Sequence, residues 1–289
     1  MLLQDKSLLF MGGGVLSLVC TLILLFSASH AWSEHTFVHF MTVDPTQPIT
    51  QYNVHNIGDA INLGYTNPWG NTLINVVAGD FNAFAVDPFR SNRVVKVVGT
   101  RSSNQLLTRV IDSYTTLAAI NENTPRPGSY LIFEDIAFEG GYYGIRVFDT
   151  EELQVFINNC SFTNHLMWSI HSGDPLTITN CTFNMPPNYI YSHAYGAIKI
   201  SGTSNCNYDM TTTIRGNTFS GRFSEHIIEL GYYGGVSTWH FLKAANVEDN
   251  VFNGTFYTSG GYPTGNGAVQ ASGVQTLNIK RNIFATKSL

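Results

Sequence analysis

The chain has 289 residues, 44% of them hydrophobic, enough to enclose one large core or two small ones. Charged residues make up only 12%, while Tyr, Phe and Gly number 14, 19 and 26, a profile that suits an all-β extracellular protein better than a helical cytosolic one. The net charge of −5 and the lack of any Lys/Arg run argue against nucleic acid as a partner.

The first element is a leader. From Leu8 to Phe26 the sequence is uncharged and mostly apolar, and Ser29 and Ala31 stand at the −3 and −1 positions of a cleavage site before Trp32. Residues 1–31 are therefore expected to be a signal peptide or an uncleaved signal anchor. The run is long for the first and sufficient for the second, and the Gly12-Gly13-Gly14 interruption favours removal. Either way, residues 32–289 are expected to be secreted or to stand on the extracellular face of a membrane, met only through the leader. Cys20 belongs to the leader. Cys160, Cys181 and Cys206 have no CxxC or Cys/His spacing for zinc, so neither a metal nor a cofactor is expected.

"IGDAINLG" follows, with Ile57, Ala60 and Ile61 on one side of a short amphipathic helix over 57–63. "TLINVVAGDF" (72–81) reads as a strand ending in a Gly turn, and "RVVKVVGT" (93–100) and "LLTRVID" (106–112) as further strands. Then a phrase begins to repeat: "LIFEDIAF" (131–138), "VFINNCSF" (155–162), "LTITNCTF" (176–183), "TTIRGNTF" (212–219), "ANVEDNVF" (245–252) and "LNIKRNIF" (277–284). Its closing Phe recurs at 138, 162, 183, 219, 252 and 284, at intervals of 21 to 36 residues, and the alternation inside each unit makes it a strand. A second alternating run follows most copies, as in "YGIRVF" (143–148), "MWSIH" (167–171), "GAIKIS" (196–201), "HIIEL" (226–230) and "GAVQA" (267–271). Two strands per period would make one coil of a solenoid whose apolar side chains stack on their counterparts above and below.

Columns follow from the template. The sixth position holds Ile136, Cys160, Cys181, Asn217, Asn250 and Asn282, predicting an inward Asn ladder and two neighbouring buried thiols, free rather than bridged. The fourth holds Arg215, Glu248 and Lys280, read as stacked opposite charges that support the sheet. Sequons occur at Asn159, Asn180 and Asn253; the first two would crowd adjacent rungs, and Asn253, placed at a turn, is the better acceptor.

The order of helix, strand with Gly and aromatic, strand with Gly, then coils resembles the pectin lyase-like superfamily. The residues that carry the likeness are Ala60-Ile61, Val76-Val77-Ala78-Gly79-Asp80-Phe81 and Val97-Val98-Gly99, and it spans residues 48–289. It implies an all-β fold: a single-stranded right-handed parallel β-helix with a short N-terminal capping helix, here of about eight coils and roughly 38 Å long. Members include pectate lyases, methylesterases, polygalacturonases, epimerases and noncatalytic adhesins, but this chain lacks the "GYxDT" and "DFIFG" stretches, the polygalacturonase Asp series and a lyase-type Asp cluster. In such relatives substrate lies on the outer face of one sheet.

The candidate site is therefore the outward column of the second strand: Arg146, Ser169 or His171, Lys199, Glu229 and Gln270, with Tyr143, Trp168, Tyr195, Glu225 and His226 just ahead and His193 nearby. Aromatic faces stack on sugar CH groups while charged tips meet hydroxyls or carboxylates, so the expected ligand is a polysaccharide or surface glycan, acidic for preference. Glu225 and Glu229, placed on one strand, would be about 13 Å apart, too far for a hydrolytic pair. Asp149 would lie about three rungs off, and Asp174 would reach the face only through the "HSGD" loop. A lyase or epimerase could use Lys199, His226 or Glu229 with Arg146 as the cation. His55, His165 and His240 read as turn residues. Three functions stay open: a noncatalytic glycan-binding protein, a polysaccharide lyase or epimerase, and a structural or adhesive surface protein. The last coil has no evident cap, so self-association, a partner chain or a loop is expected to cover it.

Overall fold

The computed structural model describes residues 35–87, 92–121, 128–148, 153–185, 195–202, 211–234, 238–240, 242–256, 267–285 and 287–288. The leader, Asp149, His193 and Cys206 lie outside them. Val38–Leu289 forms one compact unit.

Three long sheets, parallel throughout, wind around one core as a right-handed parallel β-helix. The first runs Asn53–Val54, His39–Val43, Thr72–Val76, Val94–Val98, Tyr130–Glu134, Gln154–Asn158, Leu176–Thr179, Thr211–Arg215, Leu242–Glu248 and Val274–Lys280. The second runs Phe84–Val86, Thr116–Ile120, Tyr143–Val147, Trp168–Ser172, Gly196–Ile200, Ile228–Leu230 and Val269–Ala271. The third begins with Gly79–Phe81 and Thr108–Asp112 and carries the repeated Phe from Ala137–Gly140 to Ile283–Phe284.

A coil thus has three strands, not the two expected. The repeated phrase is itself two strands joined at a corner, and the fifth template position makes the bend. Asp135, Asn159, Asn180, Gly216, Asp249 and Arg281 stand there with φ of 58, 53, 54, 68, 57 and 54°. Asn, Asp and Gly tolerate this left-handed conformation best, and five of the six corners use them. Arg281 adopts it because the strands on either side, in register with the coil below, leave no other path.

The Phe column is a continuous stack. Phe138, Phe162, Phe183, Phe219, Phe252 and Phe284 are register partners in turn. Their ring centres are 5.2, 4.9, 4.8, 4.9 and 4.9 Å apart, with planes 7–13° from parallel. Phe138 continues downward to Val110 and Phe81. The Asn ladder also forms: Asn217 Oδ1 accepts from the Cys181 N–H at 2.8 Å, Asn250 Oδ1 from Asn217 N–H at 2.9 Å and Asn282 Oδ1 from Asn250 N–H at 2.9 Å. Below it, Cys160 and Cys181 are buried free thiols, and burial together with the neighbouring thiol pushes the Cys160 pKa well above the usual range.

At the fourth position Arg215, Glu248 and Lys280 are in register, yet ion pairs cross to the corner residues: Arg215 to Asp249 at 3.0 Å, and Arg281 to Asp249 at 2.6 Å and to Glu248 at 3.4 Å. The bend swings the fifth side chain outward over its neighbours, which the strand reading missed.

The helix, α1 (Ile57–Thr66), is three residues longer than predicted. The Asn56 side chain accepts from Gly58 N–H and Asp59 N–H at 2.7 and 3.3 Å, and the helix stops at Asn67, whose extended backbone suits a residue preceding Pro68. Ile57, Ala60, Ile61 and Tyr65 pack into the core, and Tyr65 Oη donates to Tyr130 O at 2.9 Å. Replacing Asn56 by Ala should cost about 1 kcal/mol, read as a lower urea midpoint at unchanged slope.

Several strands escaped the sequence reading: Phe84–Val86 and Thr116–Ile120 open the second sheet, and His39–Val43 and Asn53–Val54 extend the first sheet beyond Thr72–Val76. At the other end Leu277, Ile279 and Phe284 are 37%, 45% and 51% exposed in columns that are buried lower down. Of the covers expected for this coil, no loop among the described residues lies over it.

Candidate functional site on the outer face of the second sheet

The predicted column exists. Ala119, Arg146, His171, Lys199, Glu229 and Gln270 are successive register partners. Of the two candidates for the 167–171 coil, His171 takes the outward place and Ser169 is buried.

Strict alternation fails just ahead of this column. Gly144–Ile145, Ser169–Ile170, Ala197–Ile198 and Ile227–Ile228 are consecutive buried pairs, and Ala197 N–H and Ile198 N–H both donate to Ile227 O, at 2.9 and 3.0 Å. This is bulge geometry, and it leaves Tyr143 and His226, three residues before Arg146 and Glu229, half-buried at the outer face, while Trp168 and Gly196 at the equivalent places stay buried. Tyr143 stacks on His171 with ring centres 5.5 Å apart and lies 5.2 Å below the Arg146 guanidinium. On the other side that guanidinium is 4.4 Å from the Phe148 ring. Trp168 lies 5.4 Å from the Lys199 ammonium.

Trp168 is 3% exposed and lies beneath the surface, with Gly196 beside it; a Cβ on Gly196 would come within 2.2 Å of the indole. It supports Lys199 from below and is not a platform for a ligand. Tyr143 is half-buried. The open rings are Tyr142, Tyr195 and Phe148, at 44%, 40% and 38% exposure. Sequence reading passed over Tyr142 and Phe148, although the "GYYG" doublet signalled the first.

Lys199 pairs with Glu229 at 2.9 Å. His171 is held neutral: burial first, then the charges of Arg146 and Lys199, lower its pKa to about 4. Its Nε2 is 3.5 Å from Ser201 Oγ, and its buried Nδ1 has no partner among the described residues. Glu225 lies ahead of the Ile228–Leu230 strand, not within it, so the 13 Å estimate of its distance from Glu229 does not apply. Burial, then the Glu229 charge, raises its pKa. His226 Nδ1 accepts from the Gly267 N–H at 3.1 Å. Asp174, 1% exposed, is turned into the molecule, and no metal-binding cluster occurs among the described residues. The face therefore holds one ion pair, one neutral imidazole, one guanidinium between aromatic rings and one carboxyl of raised pKa.

The remaining predicted positions lie elsewhere. His55 Nε2–H donates to Gln47 O, 2.7 Å away, and His165 is buried at a corner against Phe162, with a pKa near 4 from desolvation. Asn159 and Asn180 are corner residues whose amides bond to Asp135 and Asn158. Asn253 is exposed within the strand Val251–Phe256, not at a turn, because the strand continues past Phe252 in register with Thr218–Phe223.

No family model matches the sequence, and no curated protein matches it. Among solved structures the chain is similar to YbhC of Escherichia coli, at 9% identity over 86% of this chain and 85% of that one, with a TM-score of 0.47. It is also similar to the pectin methyl esterase of rice weevil, at 10% identity over 91% and 93%, with a TM-score of 0.44. The topology itself defines the class, a right-handed parallel β-helix. No helix among the described residues is long and apolar enough to cross a membrane.

Proposed function

We propose that this is a noncatalytic, secreted or membrane-tethered carbohydrate-binding protein that holds a polysaccharide or surface glycan along the outer face of its second sheet. The observation that carries the reading is the register-locked ladder Arg146–His171–Lys199–Glu229, with open Tyr142, Tyr195 and Phe148 beside it. Donors and acceptors stand one per rung, at the spacing of the Phe stack, on strands that need no rearrangement to bind. Such preorganisation favours affinity because little conformational freedom is lost.

Charge narrows the ligand. Lys199 and Glu229 neutralise one another, so a chain with an anion on every sugar would meet Glu225 and Glu229 without matching cations. A neutral or sparsely charged chain suits the face better than the acidic polysaccharide expected from the groove residues. A lyase or epimerase is the weaker reading, because Lys199 is committed to Glu229 and His171 is a poor base.

Affinity electrophoresis against a panel of soluble polysaccharides tests the proposal. Arg146→Ala should weaken retention about tenfold, the worth of one charge-assisted hydrogen bond. Unchanged retention by Arg146→Ala and Glu229→Gln would remove this face from the reading. New ultraviolet-absorbing ends during incubation would establish a lyase instead.

A further inference from the structure

Resting on that reading of the second-sheet face, the geometry points to one class of chain: we infer that the ligand is a β-1,4-linked glycan in its flat, two-fold extended form, lying parallel to the solenoid axis. The residues ahead of the ladder set the frame. Trp168 aligns with Gly196, which puts Met167 beside Tyr195, and Tyr142 immediately precedes the Tyr143–Val147 strand one rung below, so Tyr142, Met167 and Tyr195 stand on three successive rungs. Backbone bonds tie them: Met167 N–H donates to Tyr142 O at 3.0 Å, which sets Tyr142 opposite Leu166 and one residue short of Met167, and Gly196 N–H donates to Met167 O at 3.4 Å, which sets Met167 opposite Tyr195. Glu225 stands on the next rung, its N–H donating to Tyr195 O at 2.8 Å.

The two exposed tyrosines are therefore two rungs apart. Neighbouring rungs in this solenoid are 4.8–5.2 Å apart by the ring centres of the Phe stack. Two rungs come to about 10 Å, the length of one disaccharide in a fully extended β-1,4-linked chain. In such a chain each sugar is flipped relative to the last, so every second sugar turns the same CH-rich face to the same side. A ring on alternate rungs meets every one of those faces, and the rung between needs no aromatic. Met167, half-buried and flexible, occupies it. A threefold or helically coiled chain, such as an α-1,4-linked uronan or glucan, turns its faces out of phase with this spacing and would meet one ring but not both.

The ladder supplies the polar partners. With a sugar per rung, the equatorial hydroxyls on one edge of the chain run past Arg146, His171, Lys199 and Glu229, which offer donor, neutral imidazole, donor and acceptor in order. A neutral sugar needs all of these and needs no net charge, in keeping with the internal Lys199–Glu229 pair. The Tyr142–Tyr195 span covers three sugars, which makes a disaccharide too short to touch both rings.

Isothermal titration with cello- and xylo-oligosaccharides of increasing length tests this on the whole protein. Affinity should rise about tenfold between the disaccharide and the tetrasaccharide, when the second ring is reached, and then level off. Tyr142→Ala and Tyr195→Ala, both at exposed positions, should each abolish that step. Adding Met167→Tyr to Tyr195→Ala restores two rings at the wrong spacing and should not restore the step. Three results would each overturn the inference: no length step, rescue by the misplaced ring, or tighter binding of polygalacturonate or amylose than of any β-1,4-linked chain. Failure of the wider carbohydrate-binding reading looks different: no polysaccharide retained at all, or retention indifferent to Arg146.

Discussion

Phe183→Ala should destabilise the protein by about 3–5 kcal/mol, the range for emptying a fully buried aromatic site. Phe183 has no exposed surface and its ring lies between two others, 4.9 Å from Phe162 and 4.8 Å from Phe219. Collapse cannot fill the gap, because the strands above and below are held in register along their whole length. The control is built into the same column: Phe284 is 51% exposed and stacks only on Phe252, so Phe284→Ala should cost about a third as much or less. Urea unfolding followed by intrinsic fluorescence measures both. Because each coil touches only its neighbours, the central substitution should also weaken coupling between the two halves, lowering the apparent slope or splitting the transition. Equal losses for the two variants would mean that the stack is not what holds the rungs together.

The sequence revealed the columns more readily than the cross-section. Each copy of the phrase ends in Phe and bends at its fifth position, so aligning the copies aligns the rungs, and the Phe stack, the Asn ladder and the free thiols all follow. The corner itself was hidden. An Asn or Asp in left-handed conformation looks, letter by letter, like one more polar position in an alternating strand, and the two strands were fused into one. His39–Val43 and Asn53–Val54 were missed for the opposite reason: they pair in register but lack the phrase. At the site, the ladder was legible because it is set by the inward Ile and Val residues. Trp168 was not, because its burial depends on a glycine on the next rung, and Tyr142 was passed over because the bulge before each strand shifts which residues face out.

Asn250 gives the second large effect. Its side chain has no exposed surface and bonds in four directions: Oδ1 accepts from Asn217 N–H and Asn217 Nδ2 at 2.9 and 3.0 Å, and Nδ2 donates to Ile214 O and Asn282 Oδ1 at 2.9 and 3.0 Å. Asn250→Ala leaves the buried Asn217 N–H without its partner, at roughly 1–3 kcal/mol, and strips a bond from the Ile214 carbonyl, so a loss of about 3–5 kcal/mol is expected once the small cavity is included. Asn250→Asp separates hydrogen bonding from packing. It keeps the shape and both acceptor contacts but turns the donor into an oxygen facing Ile214 O and Asn282 Oδ1. Burial raises the folded-state pKa of such a carboxyl above its unfolded value near 3.9, so this variant should be least impaired at acid pH and lose stability as pH rises from about 4. Asn282→Ala at the half-buried end of the ladder should cost less, since water can reach the groups it frees. Urea midpoints order the three, and amide exchange at Asn217 reports the broken bond directly. If Asn250→Ala unfolds no more easily than Asn282→Ala, the ladder is a consequence of the coil and not one of its supports.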